Sequence, residues 1–130
     1  KLHFHLNQMV LLLGLRFKMG IKENALKHYQ DKLSGELLSV YVEEWGGKIY
    51  YRDTINGKKQ SAIMSLYAKD KHIEAMTMSL IVRALDKDGN AIWNPRELIE
   101  VMREYDNNVV SSVVSEITKD EPTVEEAKKP

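Results

Sequence analysis

Apolar residues recur along this chain at two different spacings. From Lys22 to Leu33 they stand three and four apart. Ala25, Leu26, Tyr29 and Leu33 share one face, which predicts an amphipathic helix ended by Ser34-Gly35. Leu38 to Glu43 then alternates, with Leu38, Val40 and Val42 on one side and Ser39, Tyr41 and Glu43 on the other, as a strand does. Trp45-Gly46-Gly47 turns the chain. Lys48 to Asp53 returns as a second strand, Ile49 and Tyr51 opposed to Tyr50, and the two make a β-hairpin. Asn56 is placed to cap a short amphipathic helix through Ile63, Leu66 and Tyr67. Asp70 is expected to cap the clearest one, where Ile73, Met76, Thr77, Leu80, Ile81 and Ala84 form a broad apolar stripe. Pro95 to Tyr105 predicts a further helix through Leu98, Val101, Met102 and Tyr105. Asp106-Asn107-Asn108 interrupts it and can cap a last helix whose inward face is Val110, Val113, Val114 and Ile117. Valine forms helices poorly, so this last one depends on packing. The pattern predicts an α+β fold, a small β-hairpin with a bundle of four to five helices, in a single domain over residues 19–118.

The stretch between the two strongest helical patterns, Leu85 to Glu97, has two readings. Asp86, Asp88, Asn90, Asn94 and Glu97 fall at positions 1, 3, 5, 9 and 12 of a helix–loop–helix calcium site, where its side-chain ligands come from. As a connector it is equally well made. Asp88-Gly89-Asn90 supplies turn residues that tolerate positive φ. Ile92 and Trp93 are expected to tuck inward. Asn94-Pro95-Arg96-Glu97 starts a helix with an N-cap, proline at N1 and a carboxylate at N3. The calcium reading has a defect at position 6, where the sharp turn wants glycine and the chain has Ala91. Nor does a second loop of this type occur elsewhere. The connector is the preferred reading, with calcium binding through Asp86–Glu97 kept as the alternative.

Charge changes the picture at the ends. Three of the 19 basic residues and none of the 19 acidic ones lie in Lys1–Lys18, which leaves the rest of the chain three charges negative. The apolar run Met9 to Leu15 is short for a signal-peptide core. Arg16-Phe17-Lys18 follows it where small residues should mark cleavage. The patterned part opens at Met19-Gly20, so residues 1–18 are expected to be non-native or peripheral. The alternative is an N-terminal strand or helix laid on the core. From Lys119 the chain is polar and aperiodic, and residues 119–130 are expected to form a flexible tail.

Net charge is +0 with a pI of about 7.1, so no basic field is available to hold a nucleic acid. No apolar run is long enough to span a bilayer. Cysteine is absent, which removes disulfides and thiolate chemistry and suits a reducing compartment. Of the four histidines, His3 and His5 alternate on one segment without a third ligand at metal spacing, and His28 and His72 sit on helix surfaces. Ser61, Ser65 and Ser111-Ser112 have no nucleophile elbow around them. Gly46-Gly47 lies in a hairpin turn rather than before a helix, so it is no phosphate loop. Glu43-Glu44 reads as solvated charge beside an edge strand. We expect a non-enzyme, with no cofactor and no metal. Aromatics dominate contact hot spots, and the recognition candidates are Tyr41, Trp45 and Tyr50, while Trp93 reads as core.

The order of elements resembles the tail assembly chaperones of tailed bacteriophages. Val40 to Arg52 is similar to that family's strand–Trp-Gly–strand opening. Leu85 to Leu98 resembles its connector, an acidic turn, a glycine, an inward aromatic and a new helix, with Trp93 where the family usually has phenylalanine. The likeness covers residues 22–118. It implies a protein that binds the long helical tape measure protein, helps bring tail tube subunits to it, self-associates during assembly, works in the host cytoplasm and leaves the mature virion. A longer form made by ribosomal slippage near Lys128-Lys129 is a further implication. A structural tail protein retained in the virion is the remaining alternative.

Overall fold

A computed structural model of the chain describes residues 20–119. The expectations placed on residues 1–18, including His3 and His5, and on the tail after Lys119 fall outside them. Among the described residues the protein is a small α+β fold of five helices and one two-stranded antiparallel hairpin. It divides into two compact units after Gly35.

The first unit contributes α1 (Ile21–Leu33), one residue longer at its start than the pattern predicts. None of its residues is buried, and Ile21 is 86% and Leu26 59% exposed. The apolar face expected of Ala25, Leu26, Tyr29 and Leu33 is therefore not a core face. Local terms favour the helix. Alanine, leucine, lysine, glutamate and glutamine are good helix formers, and Lys27 pairs with Asp31 one turn on at 3.3 Å.

In the second unit β1 (Leu38–Val42) pairs with β2 (Gly47–Tyr51), Leu38 opposite Tyr51 and Val42 opposite Gly47. The turn is one residue earlier than the pattern predicts. A 3-10 turn spans Glu43–Trp45, and Gly46 closes it at φ +64° with its N–H donating to the Glu43 carbonyl at 3.1 Å. Gly47 then belongs to the second strand, which ends at Tyr51 rather than Asp53. Val42 and Ile49 are buried, as the alternation requires.

The helix α2 (Gly57–Ala68) is capped as expected, the Asn56 side chain accepting from the Lys59 amide at 2.9 Å. Asp70 does something different from the expectation. It ends α2 rather than starting the next helix. Its N–H donates to Tyr67 and the Lys71 N–H reaches back to Leu66, a Schellman closure with Asp70 in the left-handed position at φ 59°. A side chain committed to that backbone is not placed to cap, and α3 (His72–Arg83) begins after Lys71 without a side-chain cap.

Helix α3 is the hub, packed against α2, α4 (Leu98–Glu104) and α5 (Asn107–Ile117). Thr77, Leu80, Ile81 and Ala84 are buried. Ile73, expected on the same stripe, is 49% exposed, because burial starts only one turn into the helix. Toward its end the helix is buried beyond the stripe, and Ser79 and Arg83 go in as a pair, the Arg83 Nε donating to Ser79 Oγ at 3.1 Å. Helix α5 buries Val109, Val110, Val113, Val114 and Ile117. Each burial is worth about 1.5–3 kcal/mol, against a helix-propensity deficit of at most about 0.7 kcal/mol per valine. Packing wins, which is why a valine-rich segment is helical here. These residues join Val42, Ile49, Leu80 and Ala84 in one core between hairpin, α3 and α5.

Candidate functional site

The connector from Leu85 to Glu97 is built by its own oxygens. Asp86 Oδ1 accepts from the amides of Asp88 at 2.9 Å and Asn90 at 3.0 Å, and the Asp86 N–H donates to the Asn90 carbonyl at 2.8 Å. Gly89 takes φ +85°. Asn94 Oδ1 accepts from the Arg96 amide at 2.9 Å, and Glu97 Oε1 from the Asn94 amide at 3.0 Å, a capping box with Pro95 at its start. The residues at calcium positions 1, 9 and 12 thus have oxygens turned onto backbone amides. Among the described residues no group of three or more His, Cys, Asp or Glu is placed to hold a metal ion. The helix these caps start opens as a 3-10 turn, Pro95–Glu97, before α4 proper.

Trp93 turns inward from this connector as expected, but Ile92 stays 41% exposed at the surface. The inward place is filled by three rings from three elements. Trp45 comes from the hairpin turn, Trp93 from the connector and Tyr105 from the end of α4. Their centroids are 6.0 Å (Trp45–Trp93), 5.9 Å (Trp45–Tyr105) and 5.9 Å (Trp93–Tyr105), all edge-on. The Trp93 Nε1–H donates to Tyr105 Oη at 3.1 Å. Edge-on pairs contribute about 0.5–1.5 kcal/mol each beyond area burial. Of the recognition candidates, Trp45 is half-buried in this cluster, so much of its ring is engaged inside the molecule. Tyr105 completes the cluster. The sequence marked it only as the last apolar position of a helix.

Tyr50 is half-buried, and its backbone ties the hairpin to the connector through a two-way bridge with Leu85. Tyr41 is the candidate most available to a partner, at 62% exposed. It stands on β1 beside a shallow cleft of about 70 Å³ between β1 and α5, lined by Val40, Val42, Glu44, Val109, Val113 and Glu116 among others. A cleft this small does not enclose a drug-sized ligand, whose pockets run to about 300–1,000 Å³. The sequence signalled Tyr41 and Glu44 but not α5 as their neighbour.

Among the described residues no helix is long and apolar enough to cross a membrane. Comparison with protein-family models, curated proteins and solved structures finds no match for this chain.

Proposed function

We propose that this protein is a phage tail assembly chaperone, a non-catalytic binding protein that holds the tape measure protein and helps recruit tail tube subunits to it. One observation carries the reading. The two segments that resemble the family, Val40–Arg52 and Leu85–Leu98, are neighbours in the fold, joined ring to ring by Trp45 and Trp93 and backbone to backbone by Tyr50 and Leu85. A pattern shared by two separated segments has a physical reason to be shared when they pack as one unit. Tyr41, Ile73 and Ile99 keep large apolar or aromatic side chains exposed, and on this reading a partner's helices would cover such side chains. On this reading the protein works in the host cytoplasm, self-associates during assembly and is absent from the mature virion.

The test is co-expression with the tape measure protein from the same genome. The expected result is a soluble complex that co-purifies, where the tape measure protein alone is insoluble. Recovery of the two proteins separately, or of this chain inside finished virions, would overturn the proposal; the second outcome would favour a structural tail protein.

A further inference from the structure

The two edges of the hairpin are not alike. Tyr50 turns its backbone away from β1, its N–H donating to the Leu85 carbonyl at 2.9 Å and its carbonyl accepting from the Leu85 N–H at 2.7 Å. In an antiparallel ladder, a residue directly opposite one that faces outward also faces outward. That residue is Ser39, and the same parity applies to Tyr41, opposite Lys48. So β2 has its outer edge bridged by Leu85. β1 presents the N–H and C=O of Ser39 and of Tyr41 along an edge that pairs with no other strand among the described residues. Both residues are exposed. Beside them lies the cleft to α5, with Val40, Val109 and Val113 as apolar wall and Glu44 and Glu116 on it as acids.

We propose that the outer edge of β1 accepts an added strand from another protein: an extended segment, apolar at alternate positions, with a lysine or arginine that meets Glu44 and Glu116. Main-chain bonds to Ser39 and Tyr41 hold the strand, and one alternate side chain enters the cleft. Charge selects the occupant. Glu44 has no ion pair among the described residues, and Glu116 pairs with Lys119 at 3.3 Å only at the surface, where an incoming base competes for it. A second copy of this chain is disfavoured by the same charges. Its own β1 with the residues on either side, Glu36 to Glu44, carries three acids and no base, so it has nothing to meet Glu44 and Glu116. The short strand and flanking acids also suppress indiscriminate edge pairing. The site is independent of the tail-assembly reading.

The probe is a phage-displayed library of random heptapeptides panned on the full chain. Enrichment of sequences with alternating apolar residues and a lysine or arginine is expected. The synthetic consensus peptide should shift the amide resonances of Ser39 and Tyr41 and slow their hydrogen exchange. Replacing its basic residue by glutamate, or introducing Glu44→Lys with Glu116→Lys in the protein, should weaken binding by about tenfold or more, since rim charges set partner choice. Tyr41→Pro, which removes an outward N–H at a position where an edge strand tolerates proline, should abolish it. If that variant does not fold, the double charge variant carries the test. No enrichment, a consensus without a basic residue, resonance shifts confined elsewhere, or unchanged affinity in the charge variant would overturn the proposal. So would slow exchange of Ser39 and Tyr41 in the unliganded chain, which would mean that a second copy or another part of the chain already holds the edge.

Discussion

Two ring contacts and a hydrogen bond end on the Trp93 side chain: the edges of Trp45 and Tyr105, and the bond from its indole N–H to the Tyr105 hydroxyl. Trp93→Ala removes all of them and opens a cavity against the core. It should cost about 3 kcal/mol or more in urea unfolding, and a loss below about 1 kcal/mol would place the side chain with ordinary surface residues. A double-mutant cycle of Trp45→Ala with Trp93→Ala should return a coupling of about 0.5–1.5 kcal/mol if the rings interact as the geometry implies. The inward turn of Trp93 was legible from its large apolar ring, while the pattern that also put its neighbour Ile92 inward did not hold for the smaller side chain. The partners of Trp93 were not legible, since nothing in a single sequence links a hairpin turn to a distant connector. Asp70 shows the same limit. Its residue type suits both an N-cap and a left-handed C-terminal position, and the backbone decides. Asp70→Gly keeps the Schellman closure and removes the steric cost of a side chain at φ 59°, offset in part by the backbone entropy of glycine. We expect a gain of about 0.5–1 kcal/mol, read as a rise of a few degrees in thermal midpoint.

Elements whose ends are set by local chemistry were the most legible. Asn56, Asn94 with Glu97, and Asp106 all cap where the residue pattern puts them. In the connector Asp86 Oδ1, Asn94 Oδ1 and Glu97 Oε1 accept from backbone amides, which is what a capped turn asks of them. Asn94→Ala should therefore cost about 1 kcal/mol in calcium-free buffer, as loss of a cap does. Calcium should leave the thermal midpoint of the unaltered chain where it was. A site in the sensor range would add about 2.7 kcal/mol at a hundredfold excess over its dissociation constant, and a shift of that size would restore the calcium reading. Less legible was how deeply α3 is buried. Ser79 and Arg83 look solvent-facing by type, yet each supplies a polar partner to the other one turn apart, so they enter the interior together. Ile73 is the converse, an apolar residue before the point where neighbouring helices close around α3. Periodicity reports which side of a helix is apolar; it does not report how far along the helix other elements reach.

At the scale of the whole molecule, the α+β class followed from two periodicities in sequence order, and the hairpin, hub helix and valine-rich last helix are where the pattern put them. The cleft beside Tyr41 was not legible, because it exists only where α5 returns to lie along β1, a long-range contact. The core has a consequence for the boundaries of the fold. Every member of the cluster between hairpin, α3 and α5 lies between Val42 and Ile117, and α1 buries none of its residues. A chain trimmed to residues 36–119 keeps all those side chains, both strands and all the described helix caps that side chains make in the second unit. It should fold by itself, in one cooperative transition, within about 0.5 kcal/mol of the full chain, the range of changes made away from buried features. Equilibrium denaturation of the two forms, with unfolding followed by tryptophan fluorescence from Trp45 and Trp93, makes the comparison directly. A deficit of several kcal/mol would be the size of a lost core element, and would show that residues before Glu36 or after Lys119 belong to the folded core. The trimmed form also separates two properties. If it keeps its stability but loses tape measure binding, the contact surface lies on the removed segments, and the exposed apolar residues of α1, Ile21 and Leu26, become the first positions to test by substitution with serine.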